Sequence, residues 1–561
     1  MLEKHQIENI FFLGIGGIGM SALARYFHAQ GTRVESRKSK VERQGSKVES
    51  RKSKDNAKAK INRKTDVHPV RVCGYDRTPS ALTRQLEEEG IQITYTDAPD
   101  MLQSIGLSAR NTLVVRTPAV PEDSVLYTWL REQGFDIRKR SEVLGLVTRT
   151  KKALCVAGTH GKTTTSTILA HLMAGIGVGV GFGSDAGDGV GVGFGFGDGQ
   201  GAKGVNAFLG GISMNYGTNV LIDKESDYVV VEADEYDRSF HRLTPYMSII
   251  TAVDPDHLDI YGTPEAYREA FEQYTELITG ALVIKHGLPI TPRLKEGVEL
   301  YTYGVVESRK SKVERQESKV ESQKSKVERQ ESKDEEPDFY AEHIRVGQGT
   351  IVFDFHTPEE VITDIRLGVP VWVNIENAVA AMAVAYLIKR YELRLSSEET
   401  AAQLRQAMGS FRGVLRRFNI HVQNEKVVYI DDYAHHPDEI ATSIHSVRKL
   451  YPDHRLIGVF QPHLYTRTRD FADGFARVLA TLDECILLPI YPARELPIPG
   501  VTSGMLAERI QPQTKVSVVE KADLIATIKD RLSSADTPVV VMTIGAGDID
   551  RLVEPMTEAL K

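Results

Sequence analysis

Short apolar runs recur along the chain. Most stop abruptly at glycine or at an acid, before a longer stretch with helical periodicity. NIFFL precedes GIGGIGMSALARYFHAQG, a pattern that predicts strand, tight turn and helix. LTRQLEEEGIQITYT (Leu82–Thr96) reads as helix then strand, and NTLVVRTPAVP (Asn111–Pro121) as strand then turn. GFDIRKRSEVLGLVTRT (Gly134–Thr150) leads into the next unit. KKALCVA, YVVVEA, SIITAV, VVYIDD and LIGVF repeat the theme: a β-run whose end carries polar residues. Strands alternating with helices predict an α/β fold built on parallel sheets.

Three segments break the pattern. VESRKSKVERQ runs from Val34 to Gln44 and recurs unchanged from Val306 to Gln316. Shared fold constraints preserve pattern, not identity, so these are copies. Each unit is a heptad with one valine, too few apolar positions for a coiled-coil seam. Insertions are therefore expected at about 35–72 and 306–337, read as solvated segments or, alternatively, as docking arms. Between Gly175 and Gly204 lie 14 of the chain's 46 glycines, alternating with Val and Phe. Gly at every second position weakens helix and strand alike, so about 175–203 reads as a loop. Arg33-Val34 before the first segment is repeated as Arg71-Val72 after it, and removing 35–72 leaves the continuous string GTRVCGYD.

Composition narrows the class. Of 561 residues, 41% are hydrophobic and 26% charged, ordinary for a globular chain and enough for three α/β domains. No apolar run reaches the roughly 18 residues that suggest a membrane span, and the N-terminus lacks the features of a signal peptide. Three scattered cysteines exclude a disulfide framework and fit a reducing cytoplasm. The net charge is −7, with +8 in the first inserted segment and zero in the third, so the rest of the chain stands at −15. An acidic body argues against nucleic acid as a partner.

Gly14, Gly16 and Gly19 form G-x-G-x-x-G directly after a strand, a turn on which a pyrophosphate can meet a helix N-terminus. Asp76, at the end of the next strand, is placed as a ribose-binding carboxylate. This motif alone leaves NAD, a UDP-sugar and a purely structural turn open. The string Gly158-Thr159-His160-Gly161-Lys162-Thr163-Thr164-Thr165 is more specific. Its backbone N–H groups suit phosphates, its lysine neutralises β/γ charge, and the following hydroxyl suits Mg²⁺. Val156 stands where the general eight-residue pattern has Gly, so the loop is a shorter variant. Glu232 ends a β-run from which a carboxylate reaches Mg²⁺. Asp254, Asp256, His257 and Asp259 end another, although capping of helices accounts equally well for Asp234, Asp237 and Asp259.

These strings together resemble the Mur ligases: GIGGIGMS, GTHGKTTT, EADEYDRSF, DPDHLDIYG, RRF at 416–418, DDYAHHP at 431–437 and QPHLYTRT at 461–468. The resemblance covers the chain outside the three segments. It implies an N-terminal Rossmann-like UDP-binding domain (1–149), a central P-loop ATPase-type domain (150–415) and a C-terminal Rossmann-like domain (416–561). It further implies ATP-dependent ligation of L-alanine to the lactyl carboxylate of UDP-N-acetylmuramate, through an acyl phosphate and a tetrahedral intermediate. Gly14, Gly16, Gly17, Ile18, Gly19 and Asp76 would hold the UDP-sugar. Residues Gly158 to Thr164, with Asn374, Asn377, Arg416 and Asp431, would hold ATP. Thr163, Glu232 and His257 would hold two Mg²⁺ ions. Tyr433, His435 and Arg467 would take the amino acid. Lys162, Glu232, His257, His435 and Arg467 are the expected catalytic set. Val373 and Leu464 stand where relatives often carry His and Arg.

Alternatives are a sibling ligase that attaches a tripeptide to the same sugar, a non-catalytic nucleotide-binding relative, and a dehydrogenase resting on the glycine turn alone. The last leaves the phosphate loop unexplained. Because the entropy of a polar excursion grows only logarithmically with its length, deletion of residues 35–72 is expected to leave turnover within a few fold of the full chain. A steady-state assay on the deletion variant checks this, and loss of nearly all turnover would refute it.

Overall fold

The computed structural model of the chain describes residues 7–30, 70–100, 102, 106–117, 119–174, 204–306, 336–347, 349–493, 495–510 and 514–561. The Gly-rich stretch 175–203 lies outside the described residues, as do the repeat-bearing segments apart from their borders.

NIFFL forms β1 (Asn9–Leu13), buried along its whole length. Gly14 then turns with φ +82°, and a Cβ there would come within 2.6 Å of Thr117 Cγ2. A helix over residues 18–30 follows. β1 is the middle of a parallel sheet with β2 (Arg71–Tyr75), β3 (Gln92–Thr94), β4 (Thr112–Arg116) and β5 (Asp136–Lys139), in the order β3-β2-β1-β4-β5. Arg71 and Val72, counted on the sequence with the first insertion, are strand residues that pair with Asn9 and Ile10. The sheet therefore uses the second copy of the Arg-Val pair. The two copies are identical, so spacing could not tell them apart.

The central sheet has ten strands: β6 (Lys152–Ala157), β7 (Asn206–Ser213), β8 (Thr218–Leu221), β9 (Tyr228–Ala233), β10 (Pro245–Ile250), β11 (Ala281–Lys285), β12 (Glu299–Val305), β13 (Phe339–Gly347), β14 (Thr350–His356) and β15 (Val361–Arg366). The order is β15-β14-β13-β12-β11-β10-β6-β9-β7-β8. The pairs β7–β8, β13–β14 and β14–β15 are antiparallel and the others parallel. β6 alternates its side chains between two apolar layers. Leu154 and Val156 enter a core shared with the buried helix Val373–Leu387 and with the third sheet. Ala153, Cys155 and Ala157 enter a core that reaches Ile10, Phe12 and Leu23 of the first unit. The central sheet is thus cemented on opposite faces to its two neighbours.

The third sheet contains β16 (Asn419–Gln423), β17 (Val427–Asp432), β18 (Arg455–Phe460), β19 (Glu484–Leu487), β20 (Lys515–Val518) and β21 (Val539–Ile544), in the order β16-β17-β21-β18-β19-β20, with only β16 antiparallel. Among the described residues, no helix is long and apolar enough to cross a membrane.

Glu484, at the start of β19, is fully buried. It accepts from Arg455 Nη2 (2.5 Å) and Arg531 Nε (2.6 Å), with Lys515 Nζ 3.3 Å away. One carboxylate therefore ties β18, β20 and a C-terminal helix together. Glu484→Gln should destabilise this unit by roughly 2 kcal/mol, less than a fully buried pair because the three cations reach solvent. Thermal unfolding should show a transition lowered by several degrees, and an unchanged profile would contradict this role.

Candidate active site

The phosphate loop follows β6, an interior strand of the ten, which lies between β9 and β10. Gly158 has φ +133°, and a Cβ there would lie 2.2 Å from Thr251 Oγ1. Thr251 Oγ1 donates to the carbonyls of Ala157 (3.2 Å) and His160 (2.5 Å), lacing the loop to the end of β10. Thr159 Oγ1 donates to Asp254 O at 2.8 Å and meets Tyr267 OH at 3.0 Å. Gly161 turns with φ +82° into the helix Lys162–Ala174. The His160 side chain is exposed and Thr164 is half-buried.

Val156 of β6 pairs with Glu232 of β9, and that register brings the carboxylate to the loop. Thr163 Oγ1 donates to Glu232 Oε2 at 3.3 Å. Ser166 Oγ and the Gly210 amide donate to Oε1 at 3.2 and 2.7 Å. Three hydroxyl and carboxylate groups so converged form a hard-oxygen set suited to Mg²⁺. Lys162 Nζ donates to Gly158 O (2.7 Å) and to both oxygens of Glu235 (2.9 and 2.8 Å). Burial pushes the Glu235 carboxyl up, against the pull of Lys162. The sequence reading gave Glu235 no role. Its signal was its place in the acidic string after β9.

A cavity of about 400 Å³ joins this loop to the first sheet. Gly17, Ile18 and Gly19 line one side, and Lys162, Glu232 and Asp234 the other. Arg140 stands between them, 3.7 Å from Asp234, and its guanidinium lies where a Cβ on Gly19 would fall. Asn219 Nδ2 donates to Ile18 O (2.6 Å) and Lys139 pairs with Asp237 (2.6 Å), which fixes the two units about the cavity. Gly14, Gly16 and Asp76 do not line it. Asp76 Oδ2 instead accepts from the Gly16 amide at 2.7 Å, bracing the turn from behind.

Asn374 and Asn377 lie under the loop. Thr165 Oγ1 donates to Asn377 Oδ1 (3.1 Å), Asn377 Nδ2 to Asn374 Oδ1 (3.2 Å), and Asn374 Nδ2 to Val369 O (3.3 Å). Both are buried and spent on the loop's support. His257 has φ +53°. Its amide donates to Asp256 (2.7 Å) and its ring meets the edge of Tyr236 at 5.1 Å. Its described contacts are not with Thr163 or Glu232.

A second cluster sits at the ends of β17 and β18. Arg416 donates to Asp431 (3.2 Å) and to the carbonyls of Gly545 and Gly547 (2.7 and 3.4 Å), closing the seam where the third unit begins. Tyr433 packs its ring over this guanidinium, 5.5 Å away, and edge-on to His435. The backbone amide of His435 donates to Glu439 Oε2 at 3.0 Å. Burial lowers the His435 imidazole from its ordinary value, Glu439 opposes this, and Arg467 and Arg417 add to it, so the ring is neutral near pH 7. Arg467 Nη1 lies 3.4 Å from His463 Nδ1, and His463 stacks on Tyr491. Burial raises Glu439, yet His435, its amide, Arg417 and the phosphate-loop His160 together hold it below the usual range. Glu439, Arg417 and His463 had no assigned role on the sequence, since only the fold brings them together.

A phosphate loop beside a strand-end carboxylate, opening on a glycine turn of a second sheet, is the layout of an α/β enzyme that handles nucleoside phosphates. The chain matches the Mur ligase family, catalytic domain over residues 70–152, the Mur ligase middle domain over 156–385 and the Mur ligase, glutamate ligase domain over 416–547. It is 45% identical to the UDP-N-acetylmuramate–L-alanine ligase of Phocaeicola vulgatus, over 98% of each chain. It is 44% identical to that of Parabacteroides distasonis, over 100% of this chain and 98% of the relative. The structure of UDP-N-acetylmuramate-alanine ligase from Thermotoga maritima shares the fold, with TM-score 0.66 and 23% identity over 98% of each chain. The chain belongs to the Mur ligase family.

Asp432 is buried beside Asp431, takes a hydrogen bond from Ser443, and is pushed up to about 6 by burial. Its folded value lies above its unfolded one, so the folded chain holds the extra proton between pH 4 and 6. Stability from this group is present below pH 4 and falls as pH rises through 6. Asp432→Asn should flatten that fall and stabilise the protein at pH 7 by on the order of 2 kcal/mol. Urea unfolding across pH 4–7 reads this directly, and an equally steep fall in the variant would contradict it.

Proposed function

We propose that this chain uses ATP to join L-alanine to the lactyl carboxylate of UDP-N-acetylmuramate, giving UDP-N-acetylmuramoyl-L-alanine, ADP and phosphate. One observation carries the reading: the glycine turn at Gly17–Gly19 opens into one cavity with Lys162 and Glu232, and the third unit adds the His435–Arg467 cluster at the ends of β17 and β18. A sugar nucleotide, a transferring phosphoryl group and an amine must meet in that order. Residues 1–149, 150–415 and 416–561 are assigned as the sugar-binding, ATP-binding and amino-acid-binding domains.

Gly17, Ile18 and Gly19 offer the turn to the UDP moiety, and Arg140 supplies the cation beside it. Lys162 draws charge from the γ-phosphate as the sugar's carboxylate attacks and the acyl phosphate forms. Glu232 and Thr163 would hold one Mg²⁺, whose charge would offset the repulsion of the two anions. A second ion at His257 rests on the family resemblance. In this reading His435 takes the proton of the L-alanine ammonium before the amine attacks. Arg467 offers a planar fork to the amino acid's carboxylate. Collapse of the tetrahedral intermediate then expels phosphate and leaves the amide. Asn374, Asn377, Arg416 and Asp431 serve ATP by holding the loop and the domain seam. Three buried free cysteines fit work in the cytoplasm.

Phosphate release from ATP should require both UDP-N-acetylmuramate and L-alanine, with glycine, L-serine and a wall tripeptide as parallel acceptors. Lys162→Ala should lower turnover by about a hundredfold or more. Arg467→Lys should raise KM for L-alanine by roughly tenfold, with a smaller change in kcat. Release dependent on the tripeptide would move the protein to the sibling reaction. No release with any acceptor would refute the proposal.

A further inference from the structure

The hairpin β13–β14 carries a second group of metal-ligating side chains, with β13 four strands along the sheet from β6 and outside the site above. β13 and β14 pair antiparallel, with Tyr340 opposite His356 and Glu342 opposite Asp354. In a regular strand, Glu342 and His343 would face opposite sides of the sheet. Here the register shifts between Glu342 and Arg345, and His343 takes φ +49°, a left-handed conformation uncommon for a residue with a side chain. The bulge brings the His343 imidazole back to its neighbours. Glu342, His343 and His356 consequently offer ligand atoms that all lie within 4.8 Å of one another.

The surroundings orient these groups. His343 Nδ1 lies 3.1 Å from Asp354 Oδ2, and Asp354 is itself held by Arg345 (3.2 Å) and the Asp364 amide (3.0 Å). A carboxylate on one imidazole nitrogen selects the tautomer and leaves the other nitrogen's lone pair for a cation. The His356 ring stacks on Tyr340 at 4.3 Å. His356 Nε2 is buried without a hydrogen bond, although Glu342 Oε2 is 3.3 Å away. The Arg345 guanidinium is shared between Asp354 and Asp364, so its charge is balanced.

We propose that Glu342, His343 and His356 bind one divalent transition-metal cation of the zinc class, with Asp354 orienting His343. Two imidazoles and one carboxylate match that class, whereas Mg²⁺ prefers an all-oxygen set. His343 is 57% exposed on its side chain, which leaves a position open to water. The ion would clip the bulge of β13 to β14.

The test uses the full chain, stripped of metal and titrated with Zn²⁺ against a chromophoric chelator, then with Co²⁺ followed by visible absorbance. One equivalent should bind, with the visible bands of a low-coordinate Co²⁺ site. His343→Ala and His356→Ala should each weaken binding by at least about tenfold. The exposed His343→Ala variant should keep the metal-free melting temperature and lose the rise that Zn²⁺ gives the parent. Failure of the parent to take up Zn²⁺, or equal uptake by the double variant, would overturn the proposal.

Discussion

Val156 and Glu232 lie opposite each other on neighbouring parallel strands, and this register sets a carboxylate beside the hydroxyl that follows the phosphate-loop lysine. A slip of one residue would send Glu232 to the other face of the sheet. The apolar alternation of β6 resists such a slip, because both faces are buried in different cores. The geometry of two oxygens at the loop is therefore held by hydrophobic layers on either side of it.

The same layers set the electrostatics. Glu235 is buried against Lys162, and burial drives it toward its neutral form. A carboxyl so disposed competes less for the lysine than an exposed one would, which favours transfer of the lysine's charge to an incoming phosphate. In the third unit, burial lowers the His435 imidazole, while His435, its amide and Arg417 outweigh burial to lower the Glu439 carboxyl. Two groups four residues apart are thus both driven toward their proton-free forms, one chiefly by burial and the other by the charges and amide around it.

Much of this was legible along the chain. Apolar runs ending in Gly or Asp/Glu marked the strands whose tips carry chemistry, and the Thr163–Glu232 meeting follows from two such runs lying side by side. Four kinds of fact were not. Asp76 and Asn377 have the residue types of ligands, yet each accepts hydrogen bonds from the neighbouring glycine turn or loop helix. Glu235 and Arg140 gained their places from contacts between elements, which no periodicity encodes. The stretch Tyr236–Arg242 that follows Glu235 is irregular, with left-handed backbone at Asp237 and Arg238, so no helical face could be drawn through it. The border of the first inserted segment was ambiguous for a simpler reason: its two flanking dipeptides are the same.

That duplicated border has a kinetic side. β1 is the middle strand of its sheet, and its partner β2 begins only at Arg71, so the first long-range pairing must wait for a chain lengthened by about 38 residues. The closure entropy of such a lengthening amounts to about 1 kcal/mol or less. Raised contact order nevertheless slows folding. The segment thus weighs more on the time the first sheet takes to assemble than on its stability once assembled, and the nascent chain must keep NIFFL from other partners until RVCGY arrives.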